Sequence, residues 1–302
     1  MNSILDELKY AFQRPNNGLM QIIVINLIIF LTLLLIWVPL TISDEGNLYR
    51  AIVEQLTLPA SLGKLIYRPW TLVTYFFTHE GFLHILFNLL FLYWFGKIIQ
   101  EFLGDEKVVN LYILGGLLGG LFYILIYNLI PYFQGQIGSS VMLGASAGVY
   151  AVVVGAATFM PNYSIPLILL GPVRIKYIAL FFVIMSYVGT AGSNAGGNLA
   201  HLAGAGLGFL FIKQLQRGND LGRPVTQFLM FVKSFFVRQP KVKVSYRRSK
   251  TSNGRTTGKK SKATYETKQE EIDAILDKIS ANGYDSLTRD EKKKLFDASK
   301  SE

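Results

Sequence analysis

The sequence predicts an all-α polytopic membrane protein, a six-transmembrane-helix bundle followed by a small cytoplasmic helical hairpin. Three observations carry that expectation. Half of the 302 residues are apolar (51%) and the mean hydropathy is +0.33, too greasy for an ordinary soluble domain. No Asp, Glu, Lys or Arg occurs from Val108 to Val173 or from Tyr177 to Ile212. The net charge of +10 is confined to the tail: residues 1–212 hold nine basic and nine acidic side chains, residues 213–302 hold twenty-one and eleven.

A helix needs about 20 apolar residues to cross a bilayer. Met20–Leu40 meets that length, preceded by a cytoplasmic segment, residues 1–19. Met1–Pro15 carries charges and lacks the pattern of a cleaved secretory signal, so the first span is expected to be retained. The connection Thr41–Glu80 is long but rich in Leu, Ile, Trp, Tyr and Phe. It reads as short amphipathic helices lying in the outer leaflet. The second span runs from about Gly81 to Ile99, the third from Val108 to Ile130 before Pro131, and the fourth from Val141 to Met160 before Pro161. A short fifth lies between Ile175 and Val188, and the sixth covers about Gly196–Ile212. The core is thus 20–212.

Basic residues in short loops orient the bundle. Connections three–four and five–six are uncharged, whereas two–three and four–five carry Lys97, Lys107, Arg174 and Lys176. Both termini are therefore expected in the cytoplasm. The span 213–265 reads as a basic interfacial helix (Pro224–Val237) and a flexible linker, suited to anionic lipid rather than nucleic acid. In 266–302, Ile272, Ile275, Leu276 and Ile279 share a helical face with Gly283 as stop. Thr288 and Glu291 form a capping box for a second helix through Ala298. Two such helices bury little core by themselves and are expected to dock on something. Cysteine is absent, which removes disulfides and thiol chemistry.

Polar side chains inside hydrocarbon are costly and mark function by default. Ser146 lies in Leu143-Gly-Ala-Ser-Ala-Gly148, His201 in Asn198-Leu-Ala-His-Leu-Ala-Gly204, and His84-Ile-Leu-Phe-Asn88 opens the second span. Spans two, four and six run in the same direction, and His84, Ser146 and His201 fall three to five residues into them. All three then sit about 5–8 Å below the outer surface. Gly144 and Gly148, and Gly204 and Gly208, have small-xxx-small spacing that lets two helices approach closely. A serine nucleophile and a histidine base need that approach. Spans four to six hold no acid for a triad, so the arrangement is a dyad. Tyr150, one turn below Ser146, can pack on the His201 ring. His84, Asn88 and the Ser146 N–H can form an oxyanion hole. Taken singly, each also reads as packing: a small serine between helices, a structural histidine, an asparagine bonding a neighbour. His79, His84 and His201 are poor metal ligands as a set, because the five-residue spacing of the first two turns their rings apart on a helix.

These residues resemble the rhomboid intramembrane serine proteases over roughly residues 60–212. The match comprises Tyr67-Arg-Pro-Trp-Thr71, His79 before His84-x-x-x-Asn88, Gly144-Ala-Ser146 with Tyr150, and Ala200-His201 with Gly204 and Gly208. Ala147 stands where many members carry Gly, and the Trp–Arg order of the first loop is altered. The resemblance implies Ser146 as nucleophile, His201 as base, His84, Asn88 and the Ser146 amide as oxyanion stabilisers, and Tyr150 stacked on His201. It implies no cofactor and no metal, and substrates that are membrane proteins with a transmembrane helix, cleaved near the outer face. The tail hairpin resembles a small appendage of some bacterial members, so a bacterial inner membrane is the expected location. The other reading is a catalytically inactive relative that binds membrane-protein clients.

Overall fold

The computed structural model describes residues 12–14, 16–167, 171–236, 271–279, 286–288, 290, 291 and 294. The chain divides into two compact units, Met1–Gln239 and Pro240–Glu302. Most of the expected 1–19 segment, the linker, Gly283 and Ala298 lie outside the described residues.

Among the described residues, the helices of the first unit begin with α1 (Gly18–Ile42), α2 (Gly46–Glu54), α3 (Leu62–Tyr67), α4 (Thr71–Thr74), α5 (Phe82–Leu103) and α6 (Asp105–Leu129). They continue as α7 (Pro131–Gln134), α8 (Ser146–Phe159), α9 (Ile175–Gly189), α10 (Ala195–Gln216) and α11 (Arg223–Phe236). Four of them, α1, α5, α6 and α10, are long and apolar enough to cross a membrane. The molecule is therefore a mainly helical, polytopic integral membrane protein. The fourth and fifth expected spans are shorter apolar helices of 14 and 15 residues. At helical rise, 14 residues cover about 21 Å, less than the hydrocarbon thickness.

The shortening of the fourth span corrects the sequence reading. Val141–Met142 is not helical but a strand, β2, antiparallel to β1 (Leu58–Pro59), with Leu58 opposite Met142 and Pro59 opposite Val141. The long first loop thus supplies the backbone partners that keep Val141 and Met142 extended. The rest of that loop is helical as expected, with α2, α3, α4 and a 3-10 turn over Tyr75–Phe77. It is stapled internally: Arg68 Nη1 donates to the Glu54 carbonyl (2.7 Å) and Trp70 Nε1 to the Gln55 carbonyl (2.8 Å). A second antiparallel pair, β3 (Ser164–Leu167) with β4 (Gly171–Arg174), precedes α9.

The core lies where α6, α8 and α10 pack on one another, with α5 against α8 and α1 against α5. Small residues set those distances. A Cβ at Gly204 or Gly208 of α10 would collide with the carbonyl oxygens of Ala147 and Ala151 on α8. Gly148, expected on that same seam, faces α6 instead: its Cβ would meet the Tyr112 carbonyl oxygen at 2.6 Å. Gly144 precedes the helix, so the four-residue spacing of Gly144 and Gly148 is not a helix face. Buried polar groups lock the loop onto the bundle. Tyr112 Oη donates to the Phe76 carbonyl (2.7 Å) and accepts from Asn26 Nδ2 (3.0 Å), while Tyr75 Oη donates to the Gly116 carbonyl (2.5 Å). At the other end of the helices, Asp105 accepts from the first amides of α1, Gly18 N–H and Leu19 N–H, groups that a helix cannot satisfy itself.

A helix, α11, is present where the sequence reading puts an interfacial one. Phe228, Met230, Phe231 and Phe235 are exposed along it. Asn110 Nδ2 of α6 donates to Thr226 Oγ1 (2.9 Å) at its first turn. In the second unit, residues 271–279 are helical. Ile275 is buried, whereas Leu276, expected on the same face, is 48% exposed. The capping box forms: Thr288 N–H donates to the Glu291 carboxylate (2.7 Å) and Glu291 N–H to Thr288 Oγ1 (3.4 Å). The Thr288 amide, Lys278 (3.0 Å) and the Thr288 hydroxyl together hold the Glu291 carboxyl down at about 2.

Candidate active site

Ser146 is the first residue of α8, not five residues inside a span. Two contacts fix the segment that delivers it. Gly144 N–H donates to the Tyr75 carbonyl (2.9 Å), and Ala145 N–H donates to His79 Nε2 (3.2 Å). Gly144 has φ +112°, a conformation open to glycine but strained for other residues. The His84 ring also occupies the space a side chain there would need, with Cε1 2.7 Å from an ideal Cβ. Glycine is required on both counts. Starting the helix at Ser146 leaves its N–H among the first-turn amides that no intrahelical carbonyl takes, at the positive end of the helix dipole.

His201 is carried on α10, which Gly204 and Gly208 bring against α8. Its Nε2 lies 2.6 Å from Ser146 Oγ. Tyr150, one turn into α8, stacks on the imidazole with ring centroids 4.5 Å apart and planes 14° from parallel. His84 is the third residue of α5, and its ring packs edge-on to His79 at 5.1 Å. Asn88, one turn further along α5, donates through Nδ2 to the His84 carbonyl (2.8 Å). That bond leaves the second amide hydrogen of Asn88 for another acceptor.

Ser146, His201, Tyr150, His84 and Asn88 line one cleft of about 660 Å³. An acyl group entering it would meet a hydroxyl hydrogen-bonded to an imidazole at a helix N-terminus, with the Asn88 amide and the His84 imidazole lining the same cleft. That combination suits nucleophilic attack on a carbonyl and stabilisation of the resulting oxyanion. The structure therefore brings together Ser146, His201, His84, Asn88, Tyr150 and Gly144. It puts Gly204 and Gly208 at the helix seam just below.

Two further residues belong to this constellation. The sequence reading gives His79 a place in a motif and rejects it as a metal ligand; in the structure it is buried and holds the Ala145 amide. Ser186 on α9 is also buried, with its Oγ 3.2 Å from His201 Nδ1 and donating to Tyr150 Oη at 2.8 Å. A lone serine in an apolar run gives no sequence signal, since its partners come from two other helices.

Comparison with known proteins places this cleft. The Rhomboid domain model matches residues 67–217, half of the chain, and that stretch contains every one of these residues. The chain belongs to the rhomboid family. A rhomboid relative is the RHOMBOID-like protein 12, mitochondrial, of Arabidopsis thaliana, 28% identical over 159 residues. That alignment covers 49% of this chain and 47% of the relative, so the chain spans about half the length of the protein it matches. Outside the rhomboid domain, residues 260–301 match a family of unknown function (DUF6576).

Proposed function

We propose that this rhomboid-family protein is an intramembrane serine endopeptidase that cleaves transmembrane segments of membrane proteins near the outer face by a Ser146–His201 dyad. The observation that carries the proposal is the 2.6 Å approach of Ser146 Oγ to His201 Nε2 in a cleft without carboxylates, with Tyr150 stacked behind the imidazole. A client-binding relative without catalysis has no use for that contact.

Ser146 Oγ attacks the scissile carbonyl carbon as its proton passes to His201 Nε2. The carbonyl oxygen becomes an oxyanion, taken by the Ser146 N–H, Asn88 Nδ2 and the His84 ring. Collapse breaks the C–N bond, and the leaving amine takes the proton from His201. Water then adds to the acyl-serine with His201 again as base, releasing the new carboxyl terminus and regenerating Ser146. Pre-aimed donors in a dry site are worth roughly 3–4 kcal/mol each to such an oxyanion.

The same reading carries a topology. Both termini face the cytoplasm of a bacterial inner membrane, and α8 and α9 serve as the fourth and fifth of six spans. The basic tail and α11 lie on anionic lipid at the inner face, with 213–265 as interfacial helix and linker and 266–302 as an appended hairpin. A fluorophosphonate probe applied to the purified protein tests the chemistry. Labelling of the wild type and none of Ser146→Ala is the expected result; equal labelling of both would refute a Ser146 nucleophile.

A further inference from the structure

The dyad lacks the carboxylate that usually fixes a catalytic histidine, yet the second nitrogen of His201 is not left to itself. Ser186, on the neighbouring α9, is 1% exposed, and its Oγ lies 3.2 Å from His201 Nδ1. Ser186 Oγ donates to Tyr150 Oη at 2.8 Å, and Tyr150 Oη donates to the Phe182 carbonyl at 3.4 Å. A carbonyl oxygen only accepts, so the single hydroxyl hydrogen of Tyr150 is directed at Phe182. The single hydroxyl hydrogen of Ser186 is then directed at Tyr150. With both hydrogens placed so, Ser186 presents a lone pair to Nδ1, and the tautomer that meets it carries its hydrogen there.

We infer that Ser186 is a positioning residue of this site, setting the tautomer and ring orientation of His201 through a relay that runs from Nδ1–H to Ser186, Tyr150 and the Phe182 carbonyl. The inference rests on the protease reading for its catalytic consequence. An imidazole protonated at Nδ1 has its free lone pair on Nε2, the atom 2.6 Å from Ser146 Oγ. Only that tautomer accepts the serine proton. In a triad an aspartate imposes the same tautomer. Here a neutral hydroxyl does so, in a stretch from Tyr177 to Ile212 that carries no ionised side chain. Tyr150 thereby acts twice, stacking on the ring and anchoring the serine that holds it. The imidazolium formed during attack strengthens the Nδ1–H bond to Ser186, so the relay favours the protonated base over the neutral one.

Ser146 and Tyr150 from α8 and Ser186 from α9 contact His201, and the other titratable groups of its cleft are His84 from α5, Tyr123 and Tyr127 from α6 and Tyr75 from the first loop. Removal of the Ser186 hydroxyl should weaken the base and shift the acid limb of the kcat profile to lower pH.

The test combines two readouts on the full-length protein in detergent. In protein labelled with 15N-histidine, the His201 resonances of the wild type should show a protonated Nδ1 and an unprotonated Nε2, whereas Ser186→Ala should show a mixture of tautomers. Ser186→Ala should also lower kcat by roughly 100-fold, the low end of what an aligned general base contributes, with KM little changed. Ser186→Thr, which keeps the hydroxyl, should restore most of that loss and the wild-type pH profile. A wild-type His201 protonated at Nε2 would overturn the relay, as would a Ser186→Ala enzyme with unchanged kcat and pH profile. Should Ser186→Ala fail to fold, the wild-type tautomer alone decides. The tautomer is read without turnover, so a wild type that shows no Ser146-dependent cleavage sinks the protease reading separately.

Discussion

His79 Nε2 accepts a hydrogen bond from the Ala145 N–H across 3.2 Å, joining the first loop to the residue before Ser146. This bond, with that from Gly144 N–H to the Tyr75 carbonyl, decides where α8 begins and so which way Ser146 points. His79→Ala leaves a buried amide without an acceptor, a loss of about 1–3 kcal/mol. Thermal unfolding in detergent should show the lower stability. Turnover should also fall, by up to ~100-fold if Ser146 shifts by about an ångström. Wild-type kcat in a destabilised His79→Ala would show that the loop stabilises without aiming the serine.

The seam between α8 and α10 predicts contrasting glycine effects. A methyl at Gly204 runs into the Ala147 carbonyl, while one at Gly206 meets nothing within 4 Å. Gly204→Ala should destabilise by about 1–3 kcal/mol or more, as overpacking does, and should open the Ser146–His201 contact. Gly206→Ala should match or exceed the wild type, since alanine is the better helix former by ~1 kcal/mol. Equal stability and activity of the two variants, measured side by side, would contradict the close seam.

Asn88→Ala and His84→Ala should each lower kcat by roughly 10- to 1000-fold rather than to zero, because each removes one donor of several. KM for a model single-span substrate should change little. Mutants that bind substrate more weakly but turn over at the wild-type rate would mark these residues as substrate contacts instead.

Every candidate residue lies in the first compact unit, Met1–Gln239, and Pro240–Glu302 forms a unit of its own. Deleting 240–302 should therefore leave kcat on a model substrate in detergent within about twofold, well inside the smallest effect expected of a catalytic donor. A folded truncation that reacts with a serine probe yet cannot cleave would tie the tail to catalysis.

Much of this site was legible from residues alone, because hydrocarbon makes isolated polar groups conspicuous. Ser146, His201, His84 and Asn88 stood out from charge-free surroundings, and they do meet in one cleft. The sequence puts Ser146 about five residues into a helix, but Val141–Met142 pairs with Leu58–Pro59 and the helix begins at the serine itself. An apolar Val-Met-Leu run has no local mark of being a strand; its partner lies some eighty residues earlier in the chain. Gly144 and Gly148 fitted a helix-packing spacing but serve two other contacts, the His84 ring and α6. Ser186 was invisible for the opposite reason. One hydroxyl in a greasy helix looks like ordinary packing until three helices are assembled around it.

The central claim is that Ser146 and His201 act as one catalytic pair, and cleavage in a bilayer tests it most directly. Wild type, Ser146→Ala and His201→Ala are reconstituted into proteoliposomes with a single-span model substrate, and fragments are quantified over time. The account predicts site-specific cleavage by the wild type, insensitive to chelators, and none above background by either variant although both remain folded. Cleavage at the wild-type rate by either variant would contradict it.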